Sequence, residues 1–155
     1  MIRDTASITP GSRKQKNAPK GLAEPLQRII EARHHDPFEV LGRHGDGEQC
    51  LLRAYLPHCD RVRLVDLDAP LSRVEGTDLF EWRGEDSKLP QHYLLSWTGR
   101  DGLEHSGYDP YCFAPLLGDL DLHLFGEGLH LHAWHMLGSH PCEVEGIGGT
   151  RFAVW

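Results

Sequence analysis

Five histidines near the C-terminus are the residues whose type and spacing most readily suggest chemistry. Neutral imidazole is a common ligand of zinc and nickel, and His132 and His135 would share one face of a short helix. The stretch contains no HExxH pattern and no thiol or carboxylate at a spacing that completes a metal site. We therefore expect solvated or locally hydrogen-bonded side chains with no metal or other cofactor, and we keep a histidine-rich metal-binding protein as the weakest alternative. The five histidines, all within 18 positions, are His123, His130, His132, His135 and His140.

A glycine-rich run and the cysteines are two further patterns that could carry chemistry. Residues 146–149 have no strand pattern before them and no helix pattern after them, so a hairpin turn explains them better than a phosphate-binding loop. The cysteines form no CxxC pair, which predicts neither a zinc knuckle nor a disulfide framework. Reduced thiols, with no secretory or membrane-spanning apolar run, favour the cytoplasm and argue against a membrane partner. The cysteines are Cys50, Cys59, Cys112 and Cys142.

The charge of the chain is divided between a basic tail and an acidic body. Residues 1–21 carry five basic side chains and one acidic side chain, so this segment contributes +4 to the net charge of -7 and the other 134 residues contribute -11. An acidic body repels phosphate backbones, which argues against nucleic acid as a partner. The tail is polar and contains two prolines and two glycines, so we expect it to be disordered.

The first ordered element is predicted to be a helix over residues 22–34. Four apolar residues recur there at helical spacing, and the polar residues between them fall on the opposite face. A proline disfavours the helical conformation in the residue before it, so this helix must end before Pro37. We expect a glycine-rich loop over residues 42–47 to follow.

From residue 48 onward the apolar periodicity changes from helical to alternating. Four short strands are predicted at the spacing typical of a sandwich, with turn residues between them. The predicted fold is therefore mainly β: a small antiparallel, immunoglobulin-like β-sandwich, preceded by a short helix and followed by an irregular or helical connector. The predicted strands are 49–56, 61–66, 79–83 and 92–98.

The chain is predicted to divide into a tail (1–21), a helix with a β-sandwich (22–108), a connector (109–148) and the start of a further strand (149–155). The connector contains an acidic apolar turn over residues 117–128. The final strand has no room for a partner, and an unpaired strand leaves backbone and apolar groups bare. We therefore expect the polypeptide to continue in the intact protein.

Several motifs, in the same order, resemble those of bacterial glycogen branching enzymes. The resemblance covers about residues 22–155 and rests on separate motifs in both halves of the chain. In the first half they are HDPF (35–38), VLG (40–42) and LRAYLP (52–57). In the second half they are DPY (109–111), PLLGDLDLHLFGEG (115–128), LG (137–138), HP (140–141) and GTRFAVW (149–155).

The resemblance implies an enzyme that cuts an α-1,4-glucan and rejoins the segment through an α-1,6 branch. Members of that family carry an N-terminal sandwich, a connector, a second sandwich of the carbohydrate-binding module family 48 type, a (β/α)₈ catalytic barrel and a C-terminal β-domain. The present chain would supply the first sandwich, the connector and the first strand of the second sandwich. It would lack the barrel that carries the paired catalytic carboxylates, so we expect no catalytic residue and no activity in this chain alone.

Exposed aromatic side chains are the candidates for binding an α-glucan such as glycogen, because the apolar faces of sugar rings stack on them. The competing interpretation is that strand aromatics point into the core, where large aromatic residues are usually found. A glucan-binding module would help to position glucan chains for the absent barrel. An interaction module would instead pack on the catalytic core without binding sugar. The predicted glucan-binding residues are Tyr55, Tyr93, Trp97 and Trp134.

Overall fold

The computed structural model describes residues 21–45 and 47–154, which form two α-helices and ten short β-strands. Disorder was predicted for residues 1–21. Except for Gly21, these residues lie outside the ranges that the structure describes. None of the helices in these ranges is long and apolar enough to cross a bilayer. The helices are α1 (Glu24–Ile30) and α2 (Asp119–Gly126). The strands are β1 (Gly42–Gly45), β2 (Gln49–Tyr55), β3 (Cys59–Leu64), β4 (Ala69–Pro70), β5 (Ser72–Arg73), β6 (Leu79–Glu85), β7 (Leu94–Gly99), β8 (Glu104–Tyr108), β9 (Gly138–Val144) and β10 (Ile147–Ala153).

Two four-stranded antiparallel sheets face each other, which confirms the predicted small, mainly β sandwich. The strand order is β1-β2-β6-β5 in the first sheet and β4-β3-β7-β8 in the second. The four predicted strands are present as β2, β6, β3 and β7, and they are the central strands of the two sheets. Apolar alternation did not predict the other four strands of the sandwich. These are the edge strands of the two sheets: β1, β5, β4 and β8.

The edge strands escape prediction because they are short or polar. The loop predicted over residues 42–47 is largely β1, which pairs with β2 in the register Gly42↔Arg53 to Gly45↔Cys50. Strands β4 and β5 have two residues each, and buried Leu71 lies between them where the chain crosses from the second sheet to the first. An edge strand has a partner on one side only, so its pairing depends more on its neighbour than on its own apolar pattern.

The core between the sheets is built from alternate residues of the central strands. Cys50, Leu52 and Ala54 of β2 point inward, as the two-residue period of a strand requires. Leu52 and Leu64 have 0% of their surface exposed, and full burial of a leucine side chain contributes about 1.5–3 kcal/mol. A shift of one residue in pairing would turn this set towards solvent, so burial also determines the register.

Helix α1 covers the outer face of the first sheet. Leu26 and Ile29 of the helix form a second buried cluster with Val40, Leu41 and Leu79. Leu79 belongs to β6, whose next residue points into the core between the sheets. The first sheet is therefore covered on both faces at this position.

Helix α1 ends earlier than the predicted range 22–34. Ala32 has a φ of +53°, and the N–H groups of Ala32 and Arg33 donate to the carbonyl oxygens of Ile29 and Arg28 at 3.0 and 2.8 Å. These two bonds form a Schellman cap, in which the residue of left-handed conformation is usually glycine. The cap therefore stops the helix before Pro37 has any influence.

Replacing Ala32 by glycine is expected to raise the free energy of unfolding by about 0.5–1 kcal/mol, because glycine adopts a positive φ without the steric cost of a Cβ. Ala32 is exposed, so the change removes no buried contact. Urea unfolding followed by circular dichroism measures the effect. The control is Ala133→Gly, in a right-handed 3-10 turn, which should lower stability. A loss of stability in both variants would contradict the assignment of strain to Ala32.

The C-terminal part of the chain contains a two-stranded hairpin. Strands β9 and β10 pair antiparallel from Gly138↔Ala153 to Val144↔Ile147. The expectation of a final strand that begins near residue 149 and has no partner is therefore wrong: the strand begins at Ile147, and β9, inside the predicted connector, pairs with it. Glu145 and Gly146 form the turn with φ values of +51° and +83°, as in a type I′ hairpin.

The hairpin turn contacts the sandwich through polar and ring interactions. The Glu145 carboxylate accepts a hydrogen bond from Gln91 Nε2 at 3.1 Å and pairs with His92 Nε2 at 2.5 Å. The His92 ring stacks on Phe113 with a centroid separation of 4.6 Å. Between sandwich and hairpin, helix α2 replaces most of the acidic apolar turn predicted over residues 117–128.

Candidate functional site

One concave surface at an open end of the sandwich combines an aromatic ring with several polar groups. It has a volume of about 370 Å³ and lies where the turn between β2 and β3 faces the turn between β7 and β8. The first of these turns carries the chain from one sheet to the other, so the surface lies at the end of the core. It is shallow and largely open to solvent, and we call it the Trp97 cleft. Its lining residues are Pro57, His58, Cys59, Trp97, Gly99, Arg100, Asp101 and His105.

Trp97 forms the aromatic wall of the Trp97 cleft. It lies on β7, directly across from Val62 of β3 on one side and His105 of β8 on the other. The indole packs partly against the core, and a Cβ added at Gly107 would lie 3.5 Å from it. The His105 ring stacks against the indole with a centroid separation of 6.0 Å and an interplanar angle of 23°. The indole is therefore held in place while part of its surface stays accessible.

The two turns place polar groups around the indole. The Arg100 N–H donates to the His58 carbonyl oxygen at 3.3 Å, which joins the turns to each other. Asp101 Oδ1 accepts a hydrogen bond from the Leu103 N–H at 3.1 Å, which orders the second turn. The polar residues of the cleft that are exposed are His58, Arg100, Asp101 and His105.

These groups suit non-covalent recognition better than covalent chemistry. Burial raises the pKa of the Cys59 thiol, so its reactive thiolate form is disfavoured. An aromatic face offers a platform to the C–H groups of a sugar ring, and the neighbouring carboxylate, guanidinium and imidazole groups can hydrogen-bond its hydroxyls. The Trp97 cleft therefore has the composition expected of a small carbohydrate-binding surface.

Tyr93 does not belong to this surface, although it shares a strand face with Trp97. Its side chain has 0% of its surface exposed, so no ring face is available to a sugar, and the prediction that Tyr93 contacts glucan is wrong. Its hydroxyl donates to Asp109 Oδ2 at 2.6 Å, and Asp109 Oδ1 accepts from the Tyr111 N–H at 3.1 Å. Burial raises the pKa of Asp109, against the opposing effect of these hydrogen bonds. Both side chains hold the core and the following turn together.

Tyr55 and Trp134 lie away from the residues that line the Trp97 cleft. Tyr55 is half-buried on the opposite face of the first sheet, where it packs against the cluster under helix α1. Trp134 lies in the 3-10 turn Ala133–His135, with 64% of its surface exposed and its ring stacked on His135 at 3.5 Å. The structure therefore does not bring the four predicted glucan-binding residues together, and Trp97 alone lines a cleft with surrounding polar groups.

A second concavity, less open than the Trp97 cleft, surrounds Trp82 and also combines an indole with polar side chains. It has a volume of about 320 Å³ and lies beside edge strand β5. The Trp82 ring lies over Gly84, where an added Cβ would come within 2.3 Å of the ring, and the indole packs partly against the core. Its other lining residues are Pro70, Ser72, Glu81 and Arg83.

The histidines near the C-terminus make local contacts. His130 Nε2 lies 2.8 Å from Asp121 Oδ1, and His140 Nε2 lies 2.8 Å from the Leu137 carbonyl oxygen. The rings of His132 and His135 are tilted, with centroids 6.0 Å apart. Across residues 21–45 and 47–154, no three His, Cys, Asp or Glu side chains converge on a position that could hold a metal ion.

The sequence identified Trp97 but not the polar residues that surround it. His58, Arg100 and Asp101 lie in turns, where no periodicity indicates the direction of a side chain. A signal did exist at His58, because it follows Pro57 in a turn at a position that usually favours glycine or asparagine. His105 lies on β8, an edge strand whose exposed residues show no apolar alternation.

Comparison with known proteins identifies the family of the chain. Residues 23–111 match the family model described as alpha-1,4-glucan branching enzyme GlgB, N-terminal domain. The chain is 48% identical over 144 residues to the 1,4-alpha-glucan branching enzyme GlgB of Cellvibrio japonicus, a match that covers 86% of this chain and 20% of that protein. The corresponding enzyme of Methylococcus capsulatus is 48% identical over 134 residues, with 86% of this chain and 18% of that protein covered.

The matched region covers the whole sandwich but a small part of each relative. The enzyme of the same name from Nitrosococcus oceani is 42% identical over 135 residues and is likewise covered over only 18% of its length. The chain thus spans about a fifth of the length of these curated relatives. The family model extends from helix α1 through the sandwich to Tyr111, and the chain therefore belongs to the family of GlgB N-terminal domains of alpha-1,4-glucan branching enzymes.

Proposed function

We propose that this chain is the non-catalytic N-terminal module of a glycogen branching enzyme and that it helps to position α-glucan chains. The intact enzyme would cut an α-1,4-glucan and transfer the segment to an α-1,6 branch point. Support comes from the family match and from the similarity to GlgB enzymes. We assign the cutting and transfer to a catalytic barrel outside this chain, so the chain alone is expected to be inactive.

The single observation that carries glucan positioning is the Trp97 cleft. An accessible indole with neighbouring hydrogen-bonding groups fits one glucose unit of a chain, with the sugar face on Trp97 and its hydroxyls near the two turns. Trp134 offers a second exposed indole, which we propose as a further glucan contact. Tyr55 is the weaker candidate, because the cluster under helix α1 covers part of its ring.

The proposed compartment is the cytoplasm. Within the described residues the four cysteines are free thiols, and Cys50 and Cys59 are buried in the core. A chain that depends on reduced, buried cysteines fits a reducing compartment. No cofactor is needed for the proposed positioning of glucan.

A second candidate function is docking onto the remainder of the enzyme without any sugar contact. Large apolar side chains are exposed between residues 116 and 154, outside the sandwich, and Leu131 and Val154 have 88% and 92% of their surface exposed. A contiguous patch of such residues usually marks an interface. Others in this segment are Leu120, Leu129, Trp134 and Phe152.

Affinity electrophoresis in gels that contain glycogen distinguishes the two functions. If the proposal is right, glycogen retards the unsubstituted chain, and Trp97→Phe weakens the interaction by about two- to tenfold because a smaller ring makes a smaller stacking surface. Phenylalanine is preferred to alanine because part of the indole packs in the core. His105→Ala, an exposed change on the edge strand, should also reduce retardation.

Trp82→Phe is the matched control, since Trp82 is another partly buried strand tryptophan outside the Trp97 cleft. Its retardation should equal that of the unsubstituted chain. Thermal unfolding of each variant ensures that only folded proteins are compared. Mobility that glycogen leaves unaltered in the unsubstituted chain would reject glucan positioning and favour docking alone.

A further inference from the structure

We propose that His58 is a glucan-binding residue of the Trp97 cleft, where its imidazole hydrogen-bonds a hydroxyl of the glucose unit stacked on Trp97. This inference rests on the proposed function, because it names one residue that gives the cleft its affinity for α-glucan. Three observations carry it: the backbone conformation of His58, the contacts of its main chain and its exposed place in the lining of the cleft.

The backbone at His58 is held in a conformation that histidine adopts reluctantly. His58 follows Pro57 in the turn between β2 and β3 and has a φ of +67°. A proline followed by a residue with positive φ is typical of a type II turn, whose second central position favours glycine. Histidine tolerates a positive φ better than most residues but still bears a steric cost that glycine does not. The turn conformation itself therefore does not favour a histidine at this position.

The main chain of His58 would make its contact equally well with glycine. The His58 carbonyl oxygen accepts the Arg100 N–H at 3.3 Å, which joins the two turns of the cleft. This bond involves no side-chain atom. Within residues 21–45 and 47–154, the imidazole itself makes no hydrogen bond or ion pair, and His58 is an exposed residue of the cleft lining. The side chain therefore leaves a hydrogen-bonding group available at the cleft and is not needed for the contact between the turns.

Other residues with positive φ show how unusual this is. The carboxylates of Asp68 and Glu145 bind neighbouring side chains, Arg63 and His92 respectively, so a contact within the chain accounts for each of them. Ala32 shows that a positive φ alone does not indicate a site, because its methyl group can form no hydrogen bond. His58 differs from all three, since it combines the strained backbone with a polar side chain that has no bond within the described residues, at a position in the lining of a cleft.

The test is a titration of the full 155-residue chain and its variants with maltoheptaose, together with thermal unfolding. His58→Gly should raise the midpoint of unfolding by about 2–4 °C, because it relieves the backbone. The same variant should bind maltoheptaose about three- to tenfold more weakly, because one hydrogen bond to the sugar is lost. His58→Asn tolerates the positive φ and keeps a hydrogen-bonding amide, so it should retain part of the affinity.

Ala32→Gly is the matched control, since it relieves a positive φ outside the cleft. It should raise the midpoint in the same way and leave maltoheptaose binding unchanged. Lower affinity with higher stability in His58→Gly alone supports the inference, since a merely structural residue would lower both quantities. Affinity that is unchanged in His58→Gly, or that falls only together with stability, overturns it while the proposed function stands. If the unsubstituted chain does not bind maltoheptaose, the proposed function fails and the inference fails with it.

Discussion

Replacing Tyr93 by phenylalanine is expected to lower the free energy of unfolding by about 2–3 kcal/mol. The substitution leaves the ring in the core but removes the hydroxyl that donates to Asp109 Oδ2 at 2.6 Å. Asp109 has only 3% of its surface exposed, so water cannot replace the lost donor, and Oδ2 is left as a buried, unpaired carboxylate oxygen while Oδ1 keeps the Tyr111 N–H. Urea unfolding of the two proteins at pH 7 measures the difference.

The matched control for Tyr93→Phe is Asp109→Asn, which keeps the shape of the side chain and removes its charge. Burial raises the pKa of Asp109 above the ordinary value of 3.8, so the folded state binds more protons than the unfolded state just above that pH. The contribution of Asp109 to stability therefore falls as pH rises from the ordinary pKa through the raised pKa. This decline should be absent in Asp109→Asn and should extend to higher pH in Tyr93→Phe. A Tyr93→Phe variant as stable as the unsubstituted chain at every pH would refute the role of the hydrogen bond.

Replacing Gly42 by alanine is expected to lower the free energy of unfolding by about 3 kcal/mol, for two reasons that act together. Gly42 has a φ of +87°, which a residue with a Cβ adopts only at a cost. The added Cβ would also lie 2.9 Å from both the Cβ and the carbonyl oxygen of Tyr111. Backbone atoms cannot move aside as a flexible side chain can, so the first strand must shift. Chemical denaturation provides the measurement.

Gly128→Ala isolates the first of these reasons, the backbone strain. Gly128 has a φ of +70°, but an added Cβ would meet nothing within 4 Å among the described residues. Its substitution should therefore cost only the backbone strain, about 1 kcal/mol. Equal losses in the two variants would mean that the approach of Tyr111 to Gly42 has no energetic importance.

Tyr111, the residue that approaches Gly42, lies in one of two similar turns. Asp36 and Asp109 each precede a proline, and each accepts a hydrogen bond from the N–H two residues later, at 3.0 and 3.1 Å. The aromatic residues of the two turns, Phe38 and Tyr111, meet edge to face with centroids 5.1 Å apart. The turn before β1 therefore contacts the turn at the end of the family-matched region.

Apolar alternation in the sequence was sufficient to predict the central strands, and with them the sandwich. Strands such as β2 bury every second residue, so their period survives in the sequence. The edge strands and β9 could not be predicted in this way, because β1 and β9 consist largely of polar residues and glycines and are defined by the strand beside them. The helix predicted over residues 22–34 is longer than helix α1. The end of α1 depends on the conformation of one exposed residue, Ala32, which apolar periodicity does not indicate.

The sequence by itself determined which strand face the aromatic residues share, and the tertiary structure decided what each of them can do. Tyr93 and Trp97 lie four residues apart on one side of the chain, as the alternation predicts. Tyr93 is completely covered because the opposite sheet and Asp109 lie over it, whereas Trp97 lies where the core opens between two turns. His58 reaches that opening only because the chain crosses between the sheets there, and a crossing leaves no period in the sequence.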